Sequence, residues 1–589
     1  MDDGVEDESH VDYATLNKLR LDGKFCDVVI QVEGFTMKAH KIVLCACSPY
    51  FRALFTGNLN SSHKSTYNIP GVLPEMMKII IEYAYTHSAV ITEGNLEFLL
   101  PAADQLCVLG LVQACAEFLE AQLCTDNCIG IWRFSDVYFC PSLQRRALRF
   151  ILQNFQEVGR TSAELLELTP AQLSHIVEKD DLIVKQEDRV FDAILRWTGH
   201  MPNKRKAYLS QLLWKVRLAQ MNADYFMSSM KTSVLMKDNE DCNRITVHTL
   251  RAMCHLQKTN FVGASRYSSL CRPRLPYAVL LAIGGWSGNR PTDVIESYDT
   301  QANCWVTVAQ MEGPRAYHGT ACLGGFVYCV GGYNAVEFFS AVCKLDPVTR
   351  TWHRVAPMHS RRCYVSVTVL QGCIYAMGGF DGYARLSSAE RYEPAANQWS
   401  PISPMHEPRS DASAATLDGK VYICGGFNGE SCLCTAECYS PSTDQWTLIP
   451  PMKKRHSGLG VVAYNQEIYA VGGFDGVSRL RCMEVYDPLA DSWRQMPDMI
   501  IARSNFGIEV LDDRLFVVGG FNGFSTTFYA EHFDQKTNEW ASIQDMGVFR
   551  SALSCCIVHD LPNVAEYAFP RRSGSPTTEL SAVKELTLW

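Results

Sequence analysis

No apolar run in the 589 residues is long enough to span a bilayer; stretches such as YAVLLAIGGW at 277–286 stop well short of the ~20 residues that a spanning helix needs. The first thirty residues are acidic, without a signal-like apolar core. Positive charge is not in excess either. The 54 Lys and Arg face 63 Asp and Glu, a formal charge of -9, which excludes a general attraction to nucleic acid or to an anionic membrane. No CxxC pair occurs, and Cys124/Cys128, Cys432/Cys434 and Cys434/Cys438 lack a second pair at finger spacing, so no metal is expected. The 24 cysteines scatter through apolar runs (Cys115, Cys322, Cys424, Cys555) and read as reduced core thiols. A nucleophile elbow, a P-loop, HExxH and a kinase set are all missing, so neither a catalytic residue nor a cofactor is expected. The expectation is a soluble cytoplasmic protein of three or four domains, or one long repeat array.

A repeat is what the second half holds. Gly-Gly pairs begin at Gly284, Gly331, Gly378, Gly425, Gly472 and Gly519, each 47 residues after the last. Trp305, Trp352, Trp399, Trp446, Trp493 and Trp540 keep the same interval, as do Tyr298, Leu345, Tyr392, Tyr439, Tyr486 and Phe533. So does a basic residue at Arg315, Arg362, Arg409, His456, Arg503 and Arg550. Within the third copy SVTVL, CIYAMGG and SAERYEP are short apolar runs separated by turns, and PAANQ leads into a fourth opened by Trp399. A lone four-stranded sheet exposes two apolar faces, and six in series bury them by packing face to face around an axis, the propeller arrangement. Paired glycines suit backbones converging near that axis. The tryptophans read as packing between blades.

These residues resemble the kelch repeat, whose signature is a Gly-Gly pair followed by a spaced Tyr and Trp; the resemblance covers 277–558. Before Gly284 there is a strand without a preceding partner, and after Trp540 an unpaired run, SALSCCIV at 551–558, is left over. That run is expected to complete the first blade and close the ring without an open sheet edge.

In the first half, 1–12 reads as a disordered acidic tail. Strand and helix patterns then mix over 13–124, where DVVIQVEGFTMKAHKIVLCACSPYFRALF resembles the BTB (POZ) domain at Asp27, His40, Ser48, Tyr50 and Phe51. Asp27 and His40 read as a buried polar pair or turn residues, since no nucleophile or second base accompanies them. Residues 125–255 are helix-periodic, with Pro141 and Pro170 near helix starts, and resemble the BACK domain. A polar linker at 256–276 and a tail at 559–589 without periodicity complete the division. The expected fold is multidomain: an α/β BTB (POZ) domain, an all-α BACK domain and an all-β six-bladed kelch propeller closed by a C-terminal strand.

This order is similar to that of the kelch-like family. The resemblance implies a BTB-mediated homodimer that serves as a non-catalytic substrate adaptor of a cullin-3 RING ubiquitin ligase, with no nucleic acid or membrane partner. It places cullin-3 at a hydrophobic-x-Glu motif after the FRALFT helix. Here the chain reads GNLNSSHK, so Leu59 supplies the hydrophobic position and Ser61 replaces the acid, beside the helix that contains Tyr83 and Tyr85. It places the protein substrate on loops after the glycines (Trp286, Tyr333, Phe380, Phe427, Phe474, Phe521) and after the basic residues (Tyr317, Tyr364, Ser410, Asp411, Ser457, Ser504, Asn505). The aromatics read equally as anchors or as packing between blades. The runs RPRLPYAVLLAIGGWSG, HSRRCYVSVTVL, RSNFGIEV and RSALSCC resemble a member of male germ cells, which implies a role in spermatogenesis. The alternative is a cytoskeletal, actin-associated scaffold without ligase activity.

Overall fold

A computed structural model describes residues 13–56, 65–138, 140–184, 186–236, 240–258 and 270–570, so the 1–12 tail and both Leu59 and Ser61 lie outside the described residues. The chain divides into two compact units at Arg272 and Pro273.

In the first unit Val28–Val32 is the central strand of three, antiparallel to Phe35–Ala39 and parallel to Thr66–Asn68. Period-two alternation sends Val28, Ile30 and Val32 into one core with Met77, Ile80, Ile81, Ala84 and Tyr85 of the helix Pro74–Thr86. Pro74 opens that helix, and His87, at φ 51°, ends it in the left-handed conformation. Of the two readings of Asp27 and His40, the buried polar pair is corrected. Exposed Asp27 accepts the Lys41 amide at 2.7 Å, whereas buried His40 has Nδ1 2.8 Å from the Tyr85 hydroxyl and Nε2 3.0 Å from the Lys24 carbonyl oxygen.

Helices follow from Cys128 onward, with Pro141 and Pro170 in first turns and a Thr169/Gln172 capping box, around a core that includes Phe155, Ile194, Trp197 and Phe226. Leu270 and Cys271 belong to this core, and the Leu270 carbonyl accepts the Ala219 amide at 3.0 Å. Residues 270–272 of the 256–276 stretch are thus part of the helical domain.

The second unit holds six four-stranded sheets, as the repeat requires. Five are contiguous in sequence; the sixth joins Ser554–His559 to Ala278–Ile283, Val294–Asp299 and Cys304–Gln310. The inner strands Gly319–Leu323, Ser366–Leu370, Ser413–Leu417, Gly460–Tyr464, Gly507–Leu511 and Ser554–His559 neighbour one another in that order, and the last neighbours the first.

The periodic residues stitch blade to blade. Each Trp donates its indole N–H to a carbonyl of the blade before, as Trp399 does to Ala356 at 2.9 Å and Trp305 to Gln544 at 2.9 Å. Each basic residue is buried. Arg409 donates to the Gly425 and Thr435 carbonyls and to the Glu437 carboxylate (2.9 Å), and its own carbonyl accepts the Gly379 amide of the preceding blade. A Cβ on Gly378 would stand 2.2 Å from that carbonyl oxygen, at φ 62°, which is why only glycine fits. The acid recurs as Glu390, Glu437, Glu484, Glu531 and Glu296; beside Arg315 its register holds Cys343.

The 559–589 stretch contains more structure than its lack of periodicity suggests. His559 ends the last strand, and Leu561 and Tyr567 are buried, with the Tyr567 hydroxyl donating to the Pro347 carbonyl at 2.7 Å.

Candidate functional site

One end of the propeller axis is built by the residue two places after each basic residue: Tyr317, Tyr364, Asp411, Gly458, Asn505 and Ala552. Each backbone N–H donates to the carbonyl of the equivalent residue one blade earlier, and Tyr317 donates to Ala552, giving a closed ring of six hydrogen bonds of 2.7–3.1 Å. The ring holds all six at φ 54–63°, a conformation costing a non-glycine residue roughly 1–3 kcal/mol, so the interblade bonds dictate the backbone here. Its side chains narrow the mouth of an axial channel of about 560 Å³. The Tyr317 and Tyr364 rings lie 4.2 Å apart, and Asn505 reaches across Gly458 to donate to Asp411 Oδ1 at 2.8 Å.

Burial pushes the Asp411 carboxyl up to about 7 despite that bond and the charge of Arg385. Glu509, farther along the inner strands, is pushed up to about 8 by burial. Among the described residues lining the channel there is no Lys or Arg, and no three His, Cys, Asp or Glu among the described residues gather into a metal-holding group.

Around the mouth the aromatics after the glycines are half-buried. Phe338 packs on Tyr333 (4.7 Å) and Phe380 (5.5 Å); Arg385 lies over Phe380 (4.1 Å) and Phe427 (5.6 Å); Arg479 lies over Phe474 (4.1 Å) and Phe521 (5.0 Å). Trp286 stacks at 6.5 Å on Tyr333. These rings pack between blades with an edge left to solvent. Ser457 and Asn505 are half-buried at the same level, but Ser410 and Ser504 are fully buried: Ser410 pairs with Phe427, and Ser504 accepts from Arg479 Nε at 3.1 Å. Neither serine is open to a target, which corrects that expectation.

The outermost residues of this end are ones that the sequence reading missed. Five residues past the first glycine of a pair stand Val336, Tyr383, Val477 and Phe524, exposed by 87, 94, 92 and 96 %. Each sits on a turn in which the side chain of Asn334, Asp381, Asp475 or Asn522 accepts its amide, which fixes the tip outward. An apolar residue inside FDGYA or FNGFS was the available signal, since turn chemistry without a core position leaves that side chain in solvent.

In the first unit, Tyr83 is half-buried with its ring 5.9 Å from that of His87. Tyr85 is wholly buried against His40, so its expected role as a cullin contact is corrected: the hydroxyl is held in the core.

Comparison with known proteins places the BTB/POZ domain at residues 16–123, the domain described as BTB And C-terminal Kelch at 128–231, and Kelch motifs at 279–312, 314–359, 361–406, 408–453, 455–500 and 502–547. Kelch-like protein 28 of Mus musculus and that of Homo sapiens are each 36% identical over 322 residues, 54% of this chain and 55% of the relative. The chain thus spans about half the length of the curated relatives it matches.

Proposed function

The chain belongs to the BTB–BACK–Kelch (kelch-like) family, and from that premise we propose that it is the substrate-recognition adaptor of a cullin-3 RING ubiquitin ligase. The observation that carries this reading is the set of exposed apolar tips Val336, Tyr383, Val477 and Phe524 around the channel mouth. Large apolar side chains fixed in solvent have no role in the fold and suit capture of another protein. The propeller then holds the target while the BTB domain, through Leu59 and the surface near Tyr83, holds cullin-3, with the BACK helices from Cys128 extending that contact. Proximity does the rest: an acceptor lysine kept near a charged E2 reacts at high effective concentration, so the adaptor itself performs no chemistry. Leu21, Phe25, Phe35 and Ile42 expose apolar surface on the BTB domain, which supports a homodimer offering two propellers to one target. A cytoplasmic role in spermatogenesis belongs to the same proposal, as does the strand Ser554–His559 as the closure of the ring.

Titration calorimetry of the full chain with the cullin-3 N-terminal domain tests it. Leu59→Ala should weaken binding at least tenfold, because a central hydrophobic contact carries ~2 kcal/mol or more, and Ser61→Glu should leave it unchanged or strengthen it. Absence of binding by the folded wild type would promote the actin-associated scaffold, which Ser61 in place of the family acid favours.

A further inference from the structure

The axial channel differs from the rest of the propeller in its charge. Glu296, Glu390, Glu437, Glu484 and Glu531 each face a buried Arg or His, but the channel is lined by Asp411 and Glu509 without a Lys or Arg among the described residues lining it. Asp411 Oδ1 accepts from Asn505, and Arg385, whose charge it feels, lies over the Phe380 and Tyr364 rings. The Tyr317 and Tyr364 rings complete the opening, whereas His318, the next residue, places its ring in the interblade packing beside Gly284 and Met311. A carboxylate oxygen and aromatic faces together are groups that hold an organic cation.

We infer that the channel mouth takes a guanidinium or ammonium group carried on an Arg or Lys side chain of the captured protein, inserted past Tyr317 and Tyr364 onto Asp411. This rests on the reading of the propeller end as the capture face and names the target's chemistry: a basic anchor within an apolar segment that covers the loop tips. Glu509 lies four residues farther along its strand than the mouth ring, about 13 Å at ~3.3 Å per residue, too deep for the same side chain. Pushed up to about 8, it is mostly protonated at neutral pH and leaves Asp411 as the group that meets the cation. The cation competes with the proton on Asp411, so affinity rises with pH through about 7. The groups facing that carboxylate are Asn505, Arg385, Tyr317, Tyr364, Cys363 and Cys432, and none of the cysteines or tyrosines is acidified to ionise in this range.

Random heptapeptides displayed on phage and selected on the immobilised full chain test this. Binders should share one Arg or Lys position. Changing that residue to citrulline, which is isosteric and neutral, should weaken binding at least tenfold in wild type and less than threefold in Asp411→Asn, and wild-type affinity should rise several-fold from pH 6 to pH 8. Binders without a basic residue, equal binding of the citrulline peptide, or undiminished discrimination by Asp411→Asn would each overturn the inference. Methylguanidinium alone should compete only at concentrations at least a hundredfold above the peptide's; competition at the peptide's own concentration would mean a site for a free cation and overturn the anchor. Binders that lack a basic residue yet lose affinity in Tyr383→Ala and Phe524→Ala sink the channel inference and leave target capture standing. Failure of the cullin-3 titration sinks the ligase role and leaves these measurements unaffected.

Discussion

Ending the chain at Arg550 removes the strand Ser554–His559, which pairs residue by residue with Ala278–Ile283. Leu553, Cys555, Cys556, Ile557 and Val558 are all buried, at 1–9 % exposure, the first, second and fourth against the last blade and Cys556 and Val558 against the second. At about 1.5–3 kcal/mol for each fully buried aliphatic side chain and less for a thiol, the loss is on the order of 8 kcal/mol, comparable with the ~5–15 kcal/mol that holds a whole domain together. The ring of six hydrogen bonds also loses Ala552, and the edge of Ala278–Ile283, buried along its whole length, opens to solvent. Truncation at Arg550 should therefore abolish the cooperative propeller transition in calorimetry and drive aggregation. A second chain ending at Pro570 keeps the strand and the packed Tyr567 and should melt like the full-length protein. If the chain ending at Arg550 retains the full-length transition, the Ser554–His559 pairing is not what keeps the ring shut, and the closure reasoning is refuted.

Arg315 stands where the other blades pair a buried Arg or, at His456, an imidazole with a glutamate, and Cys343 holds the acid's register at 3.9 Å; Cys343→Glu should add roughly 1–3 kcal/mol of stability and raise the melting temperature, whereas Glu437→Gln, which strands Arg409, should cost about 3–5 kcal/mol. Burial raises Asp411 from 3.8 to about 7 and Glu509 from 4.5 to about 8. Folding therefore takes up protons, and the stability they bring is complete below about pH 4 and is lost as pH rises through 7–8. At ~1.4 kcal/mol per pKa unit each group is worth on the order of 4 kcal/mol, and urea unfolding between pH 5 and 8.5 should show Asp411→Asn removing about half of the slope. In the BTB domain, Tyr85→Phe leaves the His40 amide and Nδ1 unpaired in the core and should cost about 1–3 kcal/mol in denaturant unfolding; an unchanged midpoint would show that the pair is not needed.

The period, the blade count and the order of domains were legible in the sequence because they depend on local chemistry repeated in register. A Gly-Gly pair, a Trp and a basic residue every 47 positions can be counted without knowing what they touch, and alternation such as VVIQV shows its buried face directly. Burial of individual residues was a different matter. Tyr85 and Ser504 read from the sequence as contact residues, and only packing against His40 and Arg479 shows them to be enclosed. Tyr383 and Phe524 run the other way, since an aromatic in a strand-rich repeat is expected inside and the turn carries it out. What the tertiary structure alone decided are the relations between distant residues: Asn505 bonded to Asp411 across 94 positions, the ring that ends at Ala552 and begins again at Tyr317, and a channel whose lining lacks Lys and Arg among the described residues. Period and pattern reside along the chain, but the charge and enclosure of a cavity belong to six strands brought together from separate blades, and no single stretch of sequence contains them.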